Sequence, residues 1–191
     1  GGNVGWRVGC LLPALLALDA DLEVLTQEGT RTVPLVDWLT APTEPSLVMA
    51  LVVPRQDGEG RYGFRKIGMR AAFTPSIIAV AGALHASEGK VTAARLAVGG
   101  GPVPASRLME SENGLIGQDL ASIDWSALRD IIATEIFAPD DAFRSASYRK
   151  RAGANALVEA LSGALSRDIR GGRTIRPAPA SAPGEIRLSR E

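Results

Sequence analysis

Side chains able to make or break bonds are few in this 191-residue chain. It holds one Cys, Cys10, and one His, His85. A single Cys cannot form an internal disulfide, and no CxxC or Cys/His cluster is present to hold zinc or an iron–sulfur centre. A Ser–His–Asp triad would have to form around His85, whose strand-like segment offers no nucleophile motif. Cys10 and His85 therefore read as core or edge residues. The paired carboxylates Asp140-Asp141 are the next candidates, for acid–base work or for Mg²⁺. No second carboxylate cluster supports either use. Together with Arg144, Ser145, Tyr148 and Arg149 they read as architecture. Acids ahead of a helix complement its positive end. Ser145 is placed to cap residues 147–148, and Arg144 is placed to pair with Asp140 or Asp141. Gly1-Gly2-Asn3 has two readings: a plain loop end, or a backbone that lets a flat ring or phosphate approach closely beside an Asn amide.

The elements that must position these residues follow from pattern. Leu11-Leu12-Pro13-Ala14-Leu15-Leu16-Ala17-Leu18 is apolar nearly all round and predicts a short buried helix, with Pro13 in its first turn. Residues 22–26 and 30–34 flank Gln27-Glu28-Gly29 and predict a β-hairpin. Val36, Trp38 and Leu39 predict one helical turn. Residues 46–53 form an apolar run that reads as a buried strand stopped by Pro54, and a polar Gly-rich loop follows from Gln56 to Gly60. Three strand-like segments come next, at 61–69, 76–86 and 90–98. Ser87-Glu88-Gly89 is a tight turn between the last two. Strands in series favour an antiparallel meander with one face covered by helices, and Gly99-Gly100-Gly101-Pro102 is expected to end the sheet. Helices are predicted at 105–113, at 124–136 with Asp124 as cap, and at 145–168. The last residues, 169–191, have Pro and Arg without apolar periodicity and read as a tail.

Composition sets outer limits. With 21 basic and 21 acidic side chains the formal net charge is zero, which argues against a general nucleic-acid binder. An apolar content of 46% is that of an ordinary globular domain. No apolar run approaches the roughly 18 residues of a membrane helix. The chain lacks an initiating Met and opens on Gly1-Gly2-Asn3, which reads as an incomplete N-terminus. A cytoplasmic location is the expectation.

Four strings carry more when taken in order. They are Gly1-Gly2-Asn3; Phe64-Arg65-Lys66 with Arg70; Ala94-Arg95-Leu96-Ala97-Val98-Gly99-Gly100; and Asp140-Asp141-Ala142-Phe143-Arg144-Ser145-Ala146-Ser147-Tyr148-Arg149. In this arrangement the chain resembles the FAD-binding medium subunit of molybdenum hydroxylases, the xanthine dehydrogenase and carbon monoxide dehydrogenase flavoprotein family. The resemblance covers roughly residues 1–165. It implies an α+β fold: residues 1–55 as the C-terminal portion of the FAD-binding domain, and residues 60–168 as a three-stranded antiparallel sheet packed on a helical bundle. Residues 169–191 would be a tail docked on a partner.

The resemblance also implies FAD as cofactor and Gly1, Gly2, Asn3, Val48 and Lys66 as its contacts, with no catalytic residue and no metal site. In similar proteins a Lys at the place of Lys66 lies near the isoalloxazine ring, where a cation tunes the potential. The other reading is a solvated strand charge. Val48 stands where a Leu packs on the ring, and is equally a core strand residue. Family members usually follow GGN with hydroxyls and an Asp. Here Val4-Gly5-Trp6-Arg7-Val8-Gly9-Cys10-Leu11 offers Trp6 or Arg7 in their place. Glu110 and Glu112 match a helix-end pattern. The implied partners are a molybdopterin-binding large subunit, a [2Fe–2S] small subunit and an acceptor such as NAD⁺. The implied role is electron transfer from the clusters to that acceptor. The alternative is a flavin-free scaffold that docks those subunits.

Overall fold

The computed structural model describes residues 2–5, 7–42, 44–55, 60–70 and 74–169. Gly1, Trp6 and the tail from residue 170 onward lie outside the described residues, as does most of the Gln56–Gly60 loop.

The first lobe is small. It opens with α1 (Gly2–Gly5), so Gly2 and Asn3 stand in a helical turn and not in the loop expected of them. The helix α2 (Leu12–Ala17) carries Pro13 in its first turn, where a missing N–H breaks no helical bond. Strands β1 (Asp21–Thr26) and β2 (Gly29–Pro34) form the expected hairpin. Leu22 and Val24 alternate inward along β1. One turn, α3 (Leu35–Thr40), buries Leu35 and Trp38. The strand β3 (Leu47–Val52) pairs antiparallel with β1, giving the order β2-β1-β3. It is not a buried strand. As an edge with a register shift opposite Glu23/Val24, it turns Val48 and Leu51 toward the core and leaves Leu47 and Met49 exposed.

The second lobe is an antiparallel sheet in chain order: β4 (Gly60–Gly68), β5 (Ser76–Ser87), β6 (Lys90–Gly100) and β7 (Val103–Arg107). The β5–β6 turn has Glu88 at φ 52° and Gly89 at φ 78°. Two left-handed residues make the turn whose twist matches the strands. Ile78, Val80 and Leu84 of β5 and Leu96 and Val98 of β6 face three helices: α4 (Met109–Leu115), α5 (Trp125–Glu135) and α6 (Ala146–Ile169). They meet Leu128 and Ile132 of α5 and Leu157 and Leu161 of α6. Each such fully buried Leu or Ile contributes about 1.5–3 kcal/mol. At Gly63 a Cβ would stand 2.8 Å from Ala160, so the glycine lets α6 settle directly on β4.

The α+β class and the sheet packed on helices agree with the sequence reading, and three details change. The sheet has four strands, because Gly100 and Gly101, at φ 90° and 56°, reverse the chain instead of ending the sheet. The helix expected at 105–113 is divided between β7 and α4. Pro104 is tolerated because β7 is an edge strand. Both faces of the sheet are covered: α2 packs on β5, β6 and β7 opposite the helical layer, and Ala97 joins the core of the first lobe.

Candidate functional site

Pairing fixes which side chains share the face turned away from the helical layer. Tyr62 lies opposite Ala83, Phe64 opposite Ala81, and Lys66 opposite Ala79. On the next strand Arg95, Ala97 and Gly99 continue the same rows. The methyl-sized residues of β5 are buried, whereas Tyr62 and Phe64 stay 42% and 43% exposed. The outer strand thus presents an aromatic ledge with Lys66 at its end. Lys66 is exposed, and its Nζ donates to the Thr74 carbonyl at 2.8 Å. A flat ring has an aromatic surface to lie on here, with a cation beside it. The reading of the sequence singled out Lys66 and passed over Tyr62. The signal was the two-residue period of β4, which places 62, 64 and 66 on one side.

The other expected contacts gather in the first lobe. Val4 of α1 is buried in one cluster with Leu12, Leu22 and Val24, against which Val48 packs. Val48 therefore serves the core and stands beside the opening helix. Gly1 lies outside the described residues. The chain then runs to Cys10, whose Sγ donates to Ser76 Oγ at 3.1 Å. Ser76 pairs with Gly68, two residues beyond Lys66. Five residues from Gly5 to Cys10 span at most about 18 Å, so the end of α1 stands within that distance of Cys10.

Arg7 is engaged within the first lobe. It sits at φ 58°, and its guanidinium donates to the Ala41 carbonyl at 2.5 Å while lying 5.2 Å from the Trp38 ring centroid. A cation on the last carbonyls of α3 complements that helix end. The Nη2 of Arg7 is buried without a hydrogen-bond partner among the described residues.

Behind the ledge, Tyr62 and His85 meet edge to face with centroids 5.9 Å apart. Burial, then the nearby Arg95 charge, hold the His85 imidazole below its ordinary value. Burial raises the Tyr62 phenol, with Arg95 opposing. Arg95 pairs with Asp19 of the first lobe at 2.8 Å.

The Asp140-Asp141 segment is architecture, with one partner reassigned. Arg149, and not Arg144, pairs with Asp141. The guanidinium of Arg149 is buried and also donates to the carbonyls of Pro139 at 2.7 Å and Arg144 at 2.8 Å. Arg144 instead lies over the Tyr148 ring at 5.5 Å. Ser145 Oγ accepts from the Tyr148 amide at 3.2 Å, the cap expected of it. The amides of Arg144 and Phe143 donate to Asp141 and, with Arg149, hold its carboxyl below the usual range. Glu112 was passed over as a mere helix-end residue. It is 3% exposed, pairs with Arg107 and accepts from the Leu96 amide at 2.8 Å. Among the described residues no cluster of three or more His, Cys, Asp or Glu is placed to hold a metal ion. No helix among them is long and apolar enough to cross a membrane.

Comparison with known proteins bears on the fold. Residues 50–164 match the model of the CO dehydrogenase flavoprotein C-terminal domain. Among solved structures, a carbon monoxide dehydrogenase from Hydrogenophaga pseudoflava superposes with a TM-score of 0.77 at 20% identity, over 87% of this chain and 60% of that one. The reconstituted CO dehydrogenase from Oligotropha carboxidovorans gives 0.73 at 20% identity, with the same coverage. Quinoline 2-oxidoreductase from Pseudomonas putida 86 gives 0.66 at 18%, over 86% and 61%. At these identities the likeness is one of fold, and this chain spans about three fifths of the length of each. No curated protein matches.

Proposed function

The chain belongs to the CO dehydrogenase flavoprotein C-terminal domain family, and on that premise we propose that it works as part of an FAD-binding, electron-transferring subunit of a molybdenum hydroxylase. Residues 1–55 would close the flavin-binding domain, and residues 60–168 form the C-terminal domain behind it. The observation that carries the reading is the ledge of Tyr62, Phe64 and Lys66 on the outer strand of the sheet.

These residues fit the ring half of the cofactor. Phe64 and Tyr62 supply stacking surface, backed by Ala81 and Ala83, which are too small to crowd a ring. Lys66 supplies positive charge next to that surface. FAD, when bound, accepts electrons singly and gives them up as a pair. The work left to this chain is to orient the ring, exclude water from the face it covers, and favour the anionic reduced form through Lys66. Val48 and the backbone of Gly1, Gly2 and Asn3 would border the ring from the first lobe. Electrons would come from [2Fe–2S] clusters in one partner, after substrate oxidation at molybdopterin in another, and leave to an acceptor such as NAD⁺.

The test is FAD binding by the purified complex that contains this chain. Stoichiometric flavin is expected in the wild type. In Phe64→Ser, retention falls about tenfold, the loss of one stacked aromatic. Lys66→Met keeps the flavin but lowers its midpoint potential. A complex whose flavin content and potential ignore both substitutions would sink the reading. A flavin-free scaffold is the second reading, favoured by the commitment of Arg7 to α3. It predicts an assembled complex with no flavin on this chain.

A further inference from the structure

We propose that His85 is a positioning residue for the aromatic ledge. As a neutral ring it holds the Tyr62 phenol in place on β4. On taking up a proton it turns away and releases that phenol, so the ledge grips a flat ring less firmly in acid. This deepens the flavoprotein reading above and rests on it.

Tyr62 and Gly60 share one side of β4, and Gly60 pairs with His85 on β5. A Cβ at Gly60 would collide with the Tyr62 phenol. The phenol therefore lies along the strand, in the space that a side chain would fill. His85 bounds it from the neighbouring strand, with ring centroids 5.9 Å apart and the planes at 85°. Among the described residues this is the ring–ring contact that Tyr62 makes, and Phe64, two residues further on, makes none. Tyr62 is otherwise open to solvent, so its pose rests on the bare strand beneath it and the imidazole beside it. An aromatic surface held before a ligand arrives leaves less to be ordered when one binds.

The imidazole is placed to be neutral. Its Nε2 is buried without a hydrogen-bond partner among the described residues, so a proton there would have no acceptor. The titratable and charged groups that face it are Tyr62 from β4 and Arg95 from β6. Asp19, just after α2, is paired with Arg95. Arg61 and Arg65 of β4 stand on the other side of the sheet, where Arg65 reaches Glu159 of α6. Glu88 and Lys90 lie at the β5–β6 turn, beyond the register shift between His85 and Ala86. Burial first, and then Arg95, favour the uncharged ring. An imidazolium here would set a second positive charge beside Arg95. It turns toward water instead, and Tyr62 loses its edge contact. A flat ring resting on Tyr62 covers His85 further, so ligand and proton oppose one another, each weakening the other by the same factor.

The experiment measures FAD affinity of the purified complex containing this chain, by flavin fluorescence, between about pH 5 and 7. In the parent, affinity is expected to fall about two- to tenfold from the neutral to the acid end, the worth of one edge-to-face contact. His85→Phe keeps an edge against Tyr62 and has no proton to take up. It should match the parent at neutral pH and lose that fall. His85→Ala should bind about two- to tenfold more weakly at neutral pH and show no further fall. A residue that only stabilised the fold would weaken binding when removed without abolishing the pH slope. Parent and His85→Phe falling equally, with flavin bound, overturns the positioning role and leaves the flavoprotein reading standing. A complex without flavin on this chain at any pH overturns both.

Discussion

The two lobes are held together by different means. In the second lobe, polar groups are sealed inside. Glu112 joins β6, β7 and α4 through Leu96 and Arg107, and Arg149 joins α6, its preceding loop and β5. In the first lobe, the polar links lie at the rim. Arg31 pairs with Glu44 where both are about half exposed, and Arg7 closes α3 from outside. Its outer strand β3 leaves Leu47 and Met49 uncovered. The difference teaches that polar pairs brace the second lobe from within and the first lobe mainly at its surface. Buried polar pairs are unforgiving when broken, whereas rim pairs are not.

Removing one partner of the Glu112–Arg107 pair is the strongest way to break that contrast. Glu112→Ala leaves a mostly buried guanidinium and the Leu96 amide without an acceptor, and should lower stability by about 3–5 kcal/mol. Glu44→Ala in the first lobe should change it by less than about 1 kcal/mol. Urea unfolding of the two variants decides the matter. Equal losses would mean the lobes are not built differently. Arg149→Met comes next. It keeps the apolar stem but frees the carbonyls of Pro139 and Arg144, with an expected loss of about 2–3 kcal/mol.

The same variants mark how much was legible in the sequence. Ile132 and Leu128 announce α5 through their spacing, and Asp124 caps it as its type demands. Short-range chemistry of that kind is written locally. The Ile77 carbonyl that Arg149 reaches is 72 residues away, and no local rule points to it. Strand β7 was hidden because Gly99-Gly100-Gly101-Pro102 reads as the end of the sheet, whereas Gly100 and Gly101 turn the chain back into an edge strand. At the candidate site, Lys66 was visible from its motif. Tyr62 shares the lysine's face by the two-residue period of β4, and only the register against β5 adds that small residues back it. The carbonyl that Arg7 reaches, at the end of α3, is likewise brought to it only by folding.

Acid titration sharpens the comparison within the loop of the second lobe. The Asp141 carboxyl is held below its ordinary value of 3.8, first by the Arg144 and Phe143 amides and then by Arg149. A carboxyl whose folded value is depressed supports the fold above its unfolded value and loses that support as pH falls through the folded one. Asp141→Asn should therefore flatten part of the stability loss seen below about pH 4. An unchanged acid limb in the variant would show that these bonds do not hold in solution.

Between the lobes the expected effects are smallest. Arg95 and Asp19 form a partly exposed pair, so Asp19→Asn should cost no more than about 1 kcal/mol. Its more telling effect is on His85, which faces Tyr62 and Arg95 on the same side of the sheet. Burial and then Arg95 lower the His85 value below 6.5, so on acidification the unfolded chain takes up the proton first. Stability from this group is full above about pH 6.5, declines as pH drops toward the lowered folded value, and levels off beneath it. His85→Phe should remove that decline while keeping the edge contact with Tyr62. Asp19→Asn should steepen it, because Arg95 then meets the imidazolium without a carboxylate to offset it. Thermal melts of the parent and both variants between about pH 5 and 7 resolve the order of the three slopes. If the steepest slope belongs to His85→Phe, the cluster behind the ledge does not couple the lobes.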